Sequence, residues 1–264
     1  MIKPKKSLGQ NFLIDKNIIK KIVLLANYKN YNNLEIGPGT GNLSEEIIRI
    51  NKPKKLIVIE KDSRLCELLA KNFGNRIKIY NKDIINFDLE KIINKNTIIF
   101  GNLPYNISTQ VLIKLIKFKH WPPKFKKVVF MFQKEVADRI LAEPNTKDYG
   151  RLSVISKWRF NITKSINISK NCFYPKPKVQ STVLIFEPKE NKKSEIKNIE
   201  NLEKITNIFF TGKRKMINKA FKKLFGKDGN FLKKIKLSPS LRPSQVTEEQ
   251  YYKITEFFEK RDIN

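Results

Sequence analysis

The stretch that decides the fold is residues 34–41, Leu-Glu-Ile-Gly-Pro-Gly-Thr-Gly. An apolar strand end runs directly into a loop with a glycine at every second position, and Leu43, Ile47 and Ile48 then follow at helical spacing. Glycines let the backbone approach a ligand closely. A strand, a glycine loop and a helix in this order therefore predict a nucleotide-type binding unit. The alternative is a plain glycine-rich turn.

The spacing of these glycines indicates which class of ligand the loop binds. Gly-x-Gly-x-Gly differs from the dinucleotide fingerprint Gly-x-Gly-x-x-Gly. It matches more closely the E-x-G-x-G-x-G loop of S-adenosylmethionine enzymes, with Glu35 as its acidic residue. We therefore predict that Gly37 and Gly39 contact bound S-adenosylmethionine.

Two carboxylates follow the next two predicted strands. Residues 56–60 form a second buried strand that ends in Glu60, 19 residues beyond Gly41, where a carboxylate can accept both hydroxyls of a ribose. Residues 77–80 form a third strand, and Asp83 after it can accept from the amino group of a bound adenine ring. The alternatives are a solvated strand end at Glu60 and a turn cap at Asp83.

The tetrad Asn102-Leu103-Pro104-Tyr105 follows a fourth predicted strand, residues 97–101. Open α/β sheets bind ligands at the carboxyl ends of their strands. There the Asn102 amide oxygen and the Leu103 carbonyl can both accept hydrogen bonds from one exocyclic amine. Pro104 fixes φ and removes a donor, and Tyr105 can stack on a base. We predict a catalytic role for these four residues; an ordinary strand-to-helix turn is the alternative.

The alternation of short strands and helices predicts the fold class. A helix follows the tetrad, and then a strand at 128–132, a helix at 133–142, a candidate strand at 153–160 and a strand at 182–186. This order predicts an α/β protein with a doubly wound parallel sheet. Before the first strand, Asp15 is a predicted helix N-cap, and the preceding residues 7–15 are either a turn or a lid over the ligand.

The charge points to a polyanion. The net charge is +29, from 54 basic and 25 acidic residues, which suits nucleic acid or an anionic membrane surface. Only nine of the basic residues are Arg, so AT-rich codon usage is an alternative source of the Lys excess. Clustering along one predicted amphipathic helix favours nucleic acid; the cluster comprises Lys213, Arg214, Lys215, Lys219, Lys222 and Lys223.

A charged segment at 188–201 with few apolar residues predicts a linker. We therefore predict a catalytic domain at 1–187 and a small α-helical, RNA-binding domain at 188–264. In the first domain, Phe173 opens a Pro-stiffened loop beside the basic pair Lys176 and Lys178, which suits stacking on a base next to phosphates. The alternative is a loop packed on the core.

Several classes of protein are disfavoured. Cys66 and Cys172 lie far apart and suggest neither a zinc site nor a disulfide framework. No apolar run is long enough to span a membrane, and the basic start precedes no signal-peptide core. His120 lies in a predicted loop and is assigned no chemistry. We expect a soluble, cytoplasmic, monomeric protein that binds neither a membrane nor a metal.

Taken together and in this order, the motifs resemble those of the small-subunit (16S) rRNA adenine N6,N6-dimethyltransferases, the family whose loss gives kasugamycin resistance. The resemblance spans nearly the whole chain. One departure is Met216, where the family usually has Thr. The segments that carry the resemblance are residues 9–13, 35–41, 102–108, 173–181, 213–215 and 241–243, together with Glu60 and Asp83.

The resemblance implies a class I S-adenosylmethionine-dependent methyltransferase, a Rossmann-like fold with a mostly parallel seven-stranded sheet and a small all-α C-terminal domain. It implies that the cofactor contacts Asn11, Leu13, Gly37, Glu60, Asp83 and Asn102. The residues predicted above to contact the RNA substrate are Tyr105, Phe173, Lys213, Arg214 and Lys215. The expected partner is small-subunit rRNA or a partly assembled small subunit.

The implied reaction is the transfer of two methyl groups to N6 of each of two adjacent adenosines near the 3′ end of that rRNA. Two alternatives stay open. One is a macrolide-resistance methyltransferase that acts on adenine N6 of large-subunit 23S rRNA. The other is a ribosome-assembly binding factor for which methylation is secondary. A nicotinamide-dependent oxidoreductase explains neither the tetrad nor the basic cluster.

Overall fold

A computed structural model describes residues 3–29, 31–190, 194–226, 232, 235 and 237–261 of the chain. Helices and strands alternate through most of it. The strands are β1 (Phe12–Leu13), β2 (Asn32–Ile36), β3 (Leu56–Glu60), β4 (Ile77–Asn81), β5 (Thr97–Gly101), β6 (Phe125–Gln133), β7 (Phe160–Ile168), β8 (Phe173–Tyr174) and β9 (Ser181–Pro188). The helices are α1 (Lys16–Leu24), α2 (Asn42–Asn51), α3 (Ser63–Phe73), α4 (Tyr105–Ile116), α5 (Lys134–Leu141), α6 (Arg151–Arg159), α7 (Ile199–Thr211), α8 (Ile217–Phe225) and α9 (Glu248–Arg261).

A seven-stranded sheet in the order β4-β3-β2-β5-β6-β9-β7 organises the fold. The pairs from β4 to β6 are all parallel, and β9 is antiparallel to β6. Parallel strands need crossover connections, and helices supply them after β2, β3 and β5. All five residues of the central strand β5 are buried, as expected for a strand covered on both faces. The structure thus confirms the predicted α/β fold with a mostly parallel sheet.

The register of the parallel strands brings four loops to one edge of the sheet. Ile36, the last residue of β2, pairs with Ile59 on one side and with Gly101 on the other. Glu60 pairs with Asn81 at the end of β4. The loops that follow β2, β3, β4 and β5 therefore all begin at the same level.

The N-terminal segment is fixed by a second, two-stranded sheet. Strand β1 pairs antiparallel with β8, so that Phe12 lies opposite Tyr174 and Leu13 opposite Phe173. Immediately after β1, the Asp15 side chain accepts a hydrogen bond of 3.0 Å from the Ile18 N–H, which confirms the predicted helix N-cap.

The chain forms two compact units. One comprises Met1–Ala137 with Asn161–Pro188, and the other comprises Asp138–Phe160 with Lys189–Asn264. This division differs from the expected domains, because Asp138–Phe160 packs with the later helices instead of with the sheet. Of the predicted linker, residues 191–193 lie outside the described residues.

The prediction of a strand at residues 153–160 is wrong, because most of this segment is the helix α6. Four consecutive residues, from Ser153 to Ser156, are buried, so the segment has no exposed face of the kind that gives a helix a clear apolar period. Tertiary contacts stabilise it: the Ser153 hydroxyl donates to the Arg139 carbonyl at 2.7 Å, and the Tyr252 hydroxyl donates to the Val154 carbonyl at 2.9 Å.

The basic cluster is also arranged differently from the prediction. Lys213, Arg214 and Lys215 lie in the turn between α7 and α8, not on a helix. Only the later Lys residues of the cluster lie on α8, whose buried face consists of Ile217, Phe221 and Phe225. Among the described residues, no helix is long and apolar enough to cross a membrane.

The close approach of the glycine loop to helix α3 generates a prediction for stability. Gly41 has φ +89°, and a Cβ there would lie 2.7 Å from the Phe73 ring and 2.9 Å from Leu69. Gly9 is also left-handed, with φ +62°, but a Cβ there would meet its nearest neighbours at 3.4 and 3.5 Å, which are ordinary van der Waals distances. Gly9→Ala therefore reports backbone strain alone, at about 1–2 kcal/mol. We expect Gly41→Ala to lower the free energy of unfolding by roughly 1–3 kcal/mol more, through overpacking.

Denaturant unfolding of the two variants beside the parent chain measures this difference. Equal losses of unfolding free energy in the two variants would show that the glycine loop has room for a side chain at position 41.

Candidate active site

A cleft opens at the edge of the sheet where the four loops converge. It encloses about 1200 Å³ of space, part of it open to solvent. The N-terminal segment, the glycine loop and the loops after β3, β4 and β5 all contribute. Of the residues predicted to bind cofactor or to act in catalysis, the cleft is lined by Asn11, Leu13, Gly37, Glu60, Asp83, Asn102, Leu103, Pro104 and Tyr105.

Gly39 does not line the cleft, in contrast to the prediction. It has φ +58°, and a Cβ on it would lie 2.9 Å from the ring of Phe12. Its N–H donates a hydrogen bond of 3.2 Å to the Glu60 carboxylate. In this structure Gly39 lets Phe12 pack closely on the loop and helps to hold Glu60. Gly37, with φ +69°, is the glycine of this pair that faces the cleft.

The Glu60 carboxylate is fixed by backbone N–H groups. One oxygen accepts from Gly39, and the other accepts from Lys61 at 2.8 Å and from Asp62 at 2.9 Å. Burial raises the pKa of Glu60, and these three hydrogen bonds oppose that rise. Because a carboxylate oxygen accepts more than one hydrogen bond, the group keeps acceptor capacity toward the cleft.

Asp83 is held in the next loop by two donors. Its oxygens accept 2.8 Å from the Lys61 ammonium and 3.0 Å from the Ile85 N–H. The hydrogen bond from Lys61 is the largest cause of a lowered pKa for Asp83, and the Ile85 N–H adds to it. Asp83 therefore stays ionised and can accept a hydrogen bond in the cleft.

The tetrad presents an oriented amide. The Nδ2 of Asn102 donates to the Asn11 carbonyl at 3.4 Å, so this contact sets which end of the amide is the donor. The Oδ1 of Asn102 then remains as an acceptor. Pro104 is the N-cap residue of α4, with φ −51°, and Leu103 before it is buried. The tetrad thus turns from strand to helix within three residues.

The hydroxyl of Tyr105 is tied to Ser181, at 2.7 Å. Ser181 is fully buried at the start of β9. Burial raises the pKa of Tyr105 despite the hydrogen bond from Ser181, so the ring is a neutral phenol at any physiological pH. The hydrogen bond to Ser181 also fixes the position of the Tyr105 ring, although Ser181 lies 76 positions further along the chain. Sequence reasoning did not identify Ser181, although the residue closes the predicted loop at 173–181.

Asp62 is another residue that sequence reasoning missed. Its side chain is fully buried and accepts from Gln10 Nε2 at 3.1 Å, from Lys5 Nζ at 3.5 Å and from Arg64 at 2.6 and 3.0 Å. Together these contacts, that with Arg64 first, hold the pKa of Asp62 well below its usual range. Asp62 therefore holds the N-terminal segment over the cleft. The sequence feature that could have identified Asp62 is its position two residues after Glu60.

The acidic residue of the glycine motif, Glu35, also lines the cleft. It is 1% exposed, and its carboxyl group accepts a hydrogen bond from the Ser44 hydroxyl. Burial raises the pKa of Glu35 to about 8; Ser44 opposes this rise, and nearby Glu60 adds to it. At neutral pH, Glu35 is therefore mainly protonated.

Phe173, which was predicted to stack on a base, does not line the cleft. Phe173 is 4% exposed and packs in the hydrophobic core with Leu13, which leaves no free ring face for a base and contradicts the predicted stacking. In the second unit, Lys213, Arg214 and Lys215 are exposed, and the Lys213 ammonium donates to the Lys147 carbonyl at 2.6 Å. Among the described residues, no group of three or more His, Cys, Asp or Glu could hold a metal.

Strand order, glycine loop and cleft together define the fold of the class I S-adenosylmethionine-dependent methyltransferases. The solved dimethyladenosine transferase from Plasmodium falciparum is similar, at 30% identity and a TM-score of 0.76, over 95% of this chain and 98% of that one. The 23S rRNA methyltransferase ErmE shares the fold, at 23% identity and a TM-score of 0.69. The sequence model of the ribosomal RNA adenine dimethylase family matches residues 1–260. The chain belongs to this family.

Curated relatives are similar over almost their entire length. A protein of Pelagibacter ubique named ribosomal RNA small subunit methyltransferase A is 45% identical over 261 residues, 98% of either chain. A protein of the same name from Wolbachia of Brugia malayi is 41% identical, over 95% of this chain and 96% of that one.

The buried carboxyl group of Glu35 predicts a pH dependence of stability. Its folded-state pKa, about 8, lies above its ordinary value of 4.5. The folded protein therefore binds more protons in this range, and the contribution of Glu35 to stability is complete below pH 4.5 and is lost as the pH rises to about 8. We expect Glu35→Gln to remove this loss. The stability of the variant relative to the parent should rise by up to about 1.4 kcal/mol per pH unit.

Urea unfolding of both proteins at pH 5, 6, 7 and 8 measures this difference. Any cost of burying the introduced amide is the same at every pH. The quantity to compare is therefore the slope of the stability difference between variant and parent against pH. Parallel curves would show that Glu35 is ionised throughout.

The contacts of Asp62 predict a change in local opening. Gln10→Ala removes the hydrogen bond to the Asp62 carboxylate, worth about 1.5 kcal/mol, and also the 2.7 Å hydrogen bond that Gln10 Oε1 accepts from the Lys5 N–H. Opening of the N-terminal segment should therefore become at least about tenfold more frequent. Asp62→Asn should have at least the same effect. Limited trypsin digestion, with mass spectrometry of cleavage after Lys5 and Lys6, measures the opening.

Arg64→Ala is the matched control, because it removes a partner of Asp62 but leaves the contacts of Asp62 with the segment. Unchanged cleavage in both Gln10→Ala and Asp62→Asn would show that the segment is held elsewhere.

Proposed function

We propose that this chain binds S-adenosylmethionine in the cleft and methylates N6 of adenosine in small-subunit rRNA. The observation that carries the proposal is the orientation of Asn102. With its Nδ2 bonded to the Asn11 carbonyl, its Oδ1 is left as an acceptor, and Leu103, the next residue, lines the same cleft. Acceptors from Asn102 and from the Leu103 backbone would together suit the two hydrogens of an exocyclic amine.

The residues around the cleft fit the proposed cofactor. The fixed Glu60 carboxylate suits the two ribose hydroxyls, and ionised Asp83 suits the amino group of the adenine ring. Gly37, Asn11 and Leu13 line the part of the cleft between the glycine loop and the N-terminal segment, which suits the methionine portion. When bound there, S-adenosylmethionine supplies an electrophilic methyl group.

The tetrad would activate the adenine amine by orientation. The lone pair of this nitrogen is delocalised into the ring, so the amine is a poor nucleophile. Hydrogen bonds from its two N–H groups to Asn102 Oδ1 and the Leu103 carbonyl favour a pyramidal nitrogen whose lone pair is free to react. Such aimed dipoles stabilise the transition state more than the ground state. The methylated nitrogen is acidic enough to lose its proton to water, so no general base is required.

The proposed substrate rests on the relatives. Identities of 41–45% over nearly complete chains to proteins named for the small subunit favour that rRNA over 23S rRNA. We infer that two adjacent adenosines near the 3′ end each receive two methyl groups, on free rRNA or on a partly assembled subunit. Methylation assays with purified small and large ribosomal subunits as acceptors test this inference. Methyl transfer to the large subunit alone would overturn it.

The acceptor role of Asn102 predicts a specific loss of turnover. Asn102→Ala should lower kcat by roughly 10²-fold, because one acceptor for the transition state is worth about 3 kcal/mol. The dissociation constant of S-adenosylmethionine, measured by calorimetry, should rise by a much smaller factor.

Asn106→Ala is the matched control, because Asn106 also lines the cleft but follows the tetrad as the second residue of α4. Its kcat should stay within about threefold of the parent value. Full turnover by Asn102→Ala would remove Asn102 from the mechanism.

The positive charge predicts steeply salt-dependent RNA binding, and we propose that the second unit contributes to it. Lys and Arg contacts to phosphates release condensed counterions, and each contact adds about 0.7–0.9 to the slope of log K against log salt. Joint replacement of Arg214 and Lys215 by Ala should reduce the slope by about 1.4–1.8, and spares the bond of Lys213 to Lys147.

Joint replacement of Lys54 and Lys55 by Ala is the control, because these exposed residues precede β3 at the edge of the sheet away from the cleft. It removes the same charge and should leave the slope unchanged. A flat salt response of the parent chain would assign the Lys excess to codon usage.

A further inference from the structure

Some of the exposed apolar side chains lie at or near the paired strands β1 and β8. Among the described residues, the exposed large hydrophobic side chains are those of Ile14, Leu24, Tyr28, Tyr174, Val179 and Met216. Two of the six, Ile14 and Tyr174, lie on or directly after the paired strands β1 and β8, and Val179 lies five residues beyond β8. Tyr174 is the most exposed of all, at 53%. The core does not use this ring, although the ring of the preceding residue is buried.

The pairing of β1 with β8 places Tyr174 beside the N-terminal segment, which lines the cleft. Directly opposed residues of an antiparallel pair project to the same face. Tyr174 is opposed to Phe12, which lines the cleft and packs on Gly39 of the glycine loop. A hydrogen bond of 2.8 Å from the Ile14 N–H to the Cys172 carbonyl extends the pairing and holds both segments together. The ring therefore stands on a fixed element next to the cleft.

The surroundings of Tyr174 are cationic. Residues 161–186 include Lys164, Lys170, Lys176 and Lys178 but no acidic residue. Lys170, Lys176 and Lys178 are exposed. The nearest carboxylate along the pairing is Asp15, which caps α1 and lies 3.8 Å from the Cys172 sulfur. An exposed aromatic ring among lysines is the combination that binds single-stranded nucleic acid: the ring stacks on a base and the ammonium groups contact phosphates.

We propose that Tyr174, with Lys176 and Lys178, forms a stacking platform for the RNA strand that flanks the methylated adenosine. Tyr174 stacks on a neighbouring base while the adenosine itself enters the cleft, and the two lysines contact the backbone of the same strand. The platform replaces Phe173 as the aromatic contact of this loop, since Phe173 is buried. The inference rests on the proposed function, because it names the part of the substrate that this surface holds.

Binding and kinetics of four variants test the platform. Base stacking on an aromatic side chain is worth about 1–3 kcal/mol, so Tyr174→Ala should weaken binding of a small-subunit rRNA 3′ fragment by about tenfold. KM for this RNA should rise by a similar factor, whereas kcat and the dissociation constant of S-adenosylmethionine should not change. Tyr174→Phe keeps the ring and should bind like the parent.

Tyr28→Ala is the matched control, because Tyr28 is also an exposed tyrosine, at 38%, but contacts Tyr31 and Lys127 away from the cleft. The salt dependence separates the two parts of the platform. Tyr174→Ala should leave the slope of log K against log salt unchanged, since stacking releases no counterion. Joint replacement of Lys176 and Lys178 by Ala should reduce the slope by about 1.4–1.8.

The outcomes distinguish this inference from the proposed function. If the parent chain methylates the small-subunit fragment and Tyr174→Ala binds it equally well, or Tyr28→Ala loses as much affinity, the platform is wrong and the proposed function stands. If the parent chain does not methylate small-subunit rRNA, both fail together. A thermal unfolding curve of Tyr174→Ala that matches the parent curve shows that lost binding is not lost folding.

Discussion

The parallel pairing of β2 with both β3 and β5 is the constraint on which the site depends. Because Ile36 pairs with Ile59 and with Gly101, the glycine loop, Glu60 and the tetrad begin at one level of the sheet. Residues that lie 65 positions apart in sequence, Gly37 and Asn102, thereby line the same cleft. A shift of β5 by one residue would turn its side chains to the other face and remove Asn102 from the cleft.

The N-terminal segment completes what the sheet begins. The segment has little regular structure of its own, so its position depends on side chains from the sheet: Asn102 donates to the Asn11 carbonyl, Asn42 donates to the Leu13 carbonyl at 2.8 Å, and Asp62 accepts from Gln10. The hydrogen bond from Asn102 to the Asn11 carbonyl has two effects: it holds the N-terminal segment, and it sets the orientation of the Asn102 amide. Asn102, the proposed acceptor, and the N-terminal segment beside the cleft thus belong to one hydrogen-bonded arrangement.

The sequence was sufficient for the features that local chemistry determines. The strand from Leu56 to Glu60, the cap at Asp15 and the turn at the tetrad follow from apolar runs, capping preference and proline. Features that depend on distant partners could not be predicted. Pairing of β1 with β8 joins residues about 160 positions apart, and in this arrangement Phe173 is buried in the core and Tyr174 is exposed. Helix α6 forms because tertiary packing overrides the weak local pattern of Ser153–Ser156.

The distribution of charge follows from two ligands of opposite sign. In a chain of net charge +29, the cleft is nevertheless lined by Glu35, Glu60 and Asp83, and one of its lysines, Lys61, is paired with Asp83. A sulfonium donor is a cation, whereas RNA is a polyanion. Keeping Glu35 protonated relieves the repulsion that two buried carboxylates so close together would otherwise have, so that Glu60 can carry the charge. An acidic cleft inside a basic surface is therefore the arrangement that the proposed reaction requires, since each ligand meets the opposite charge.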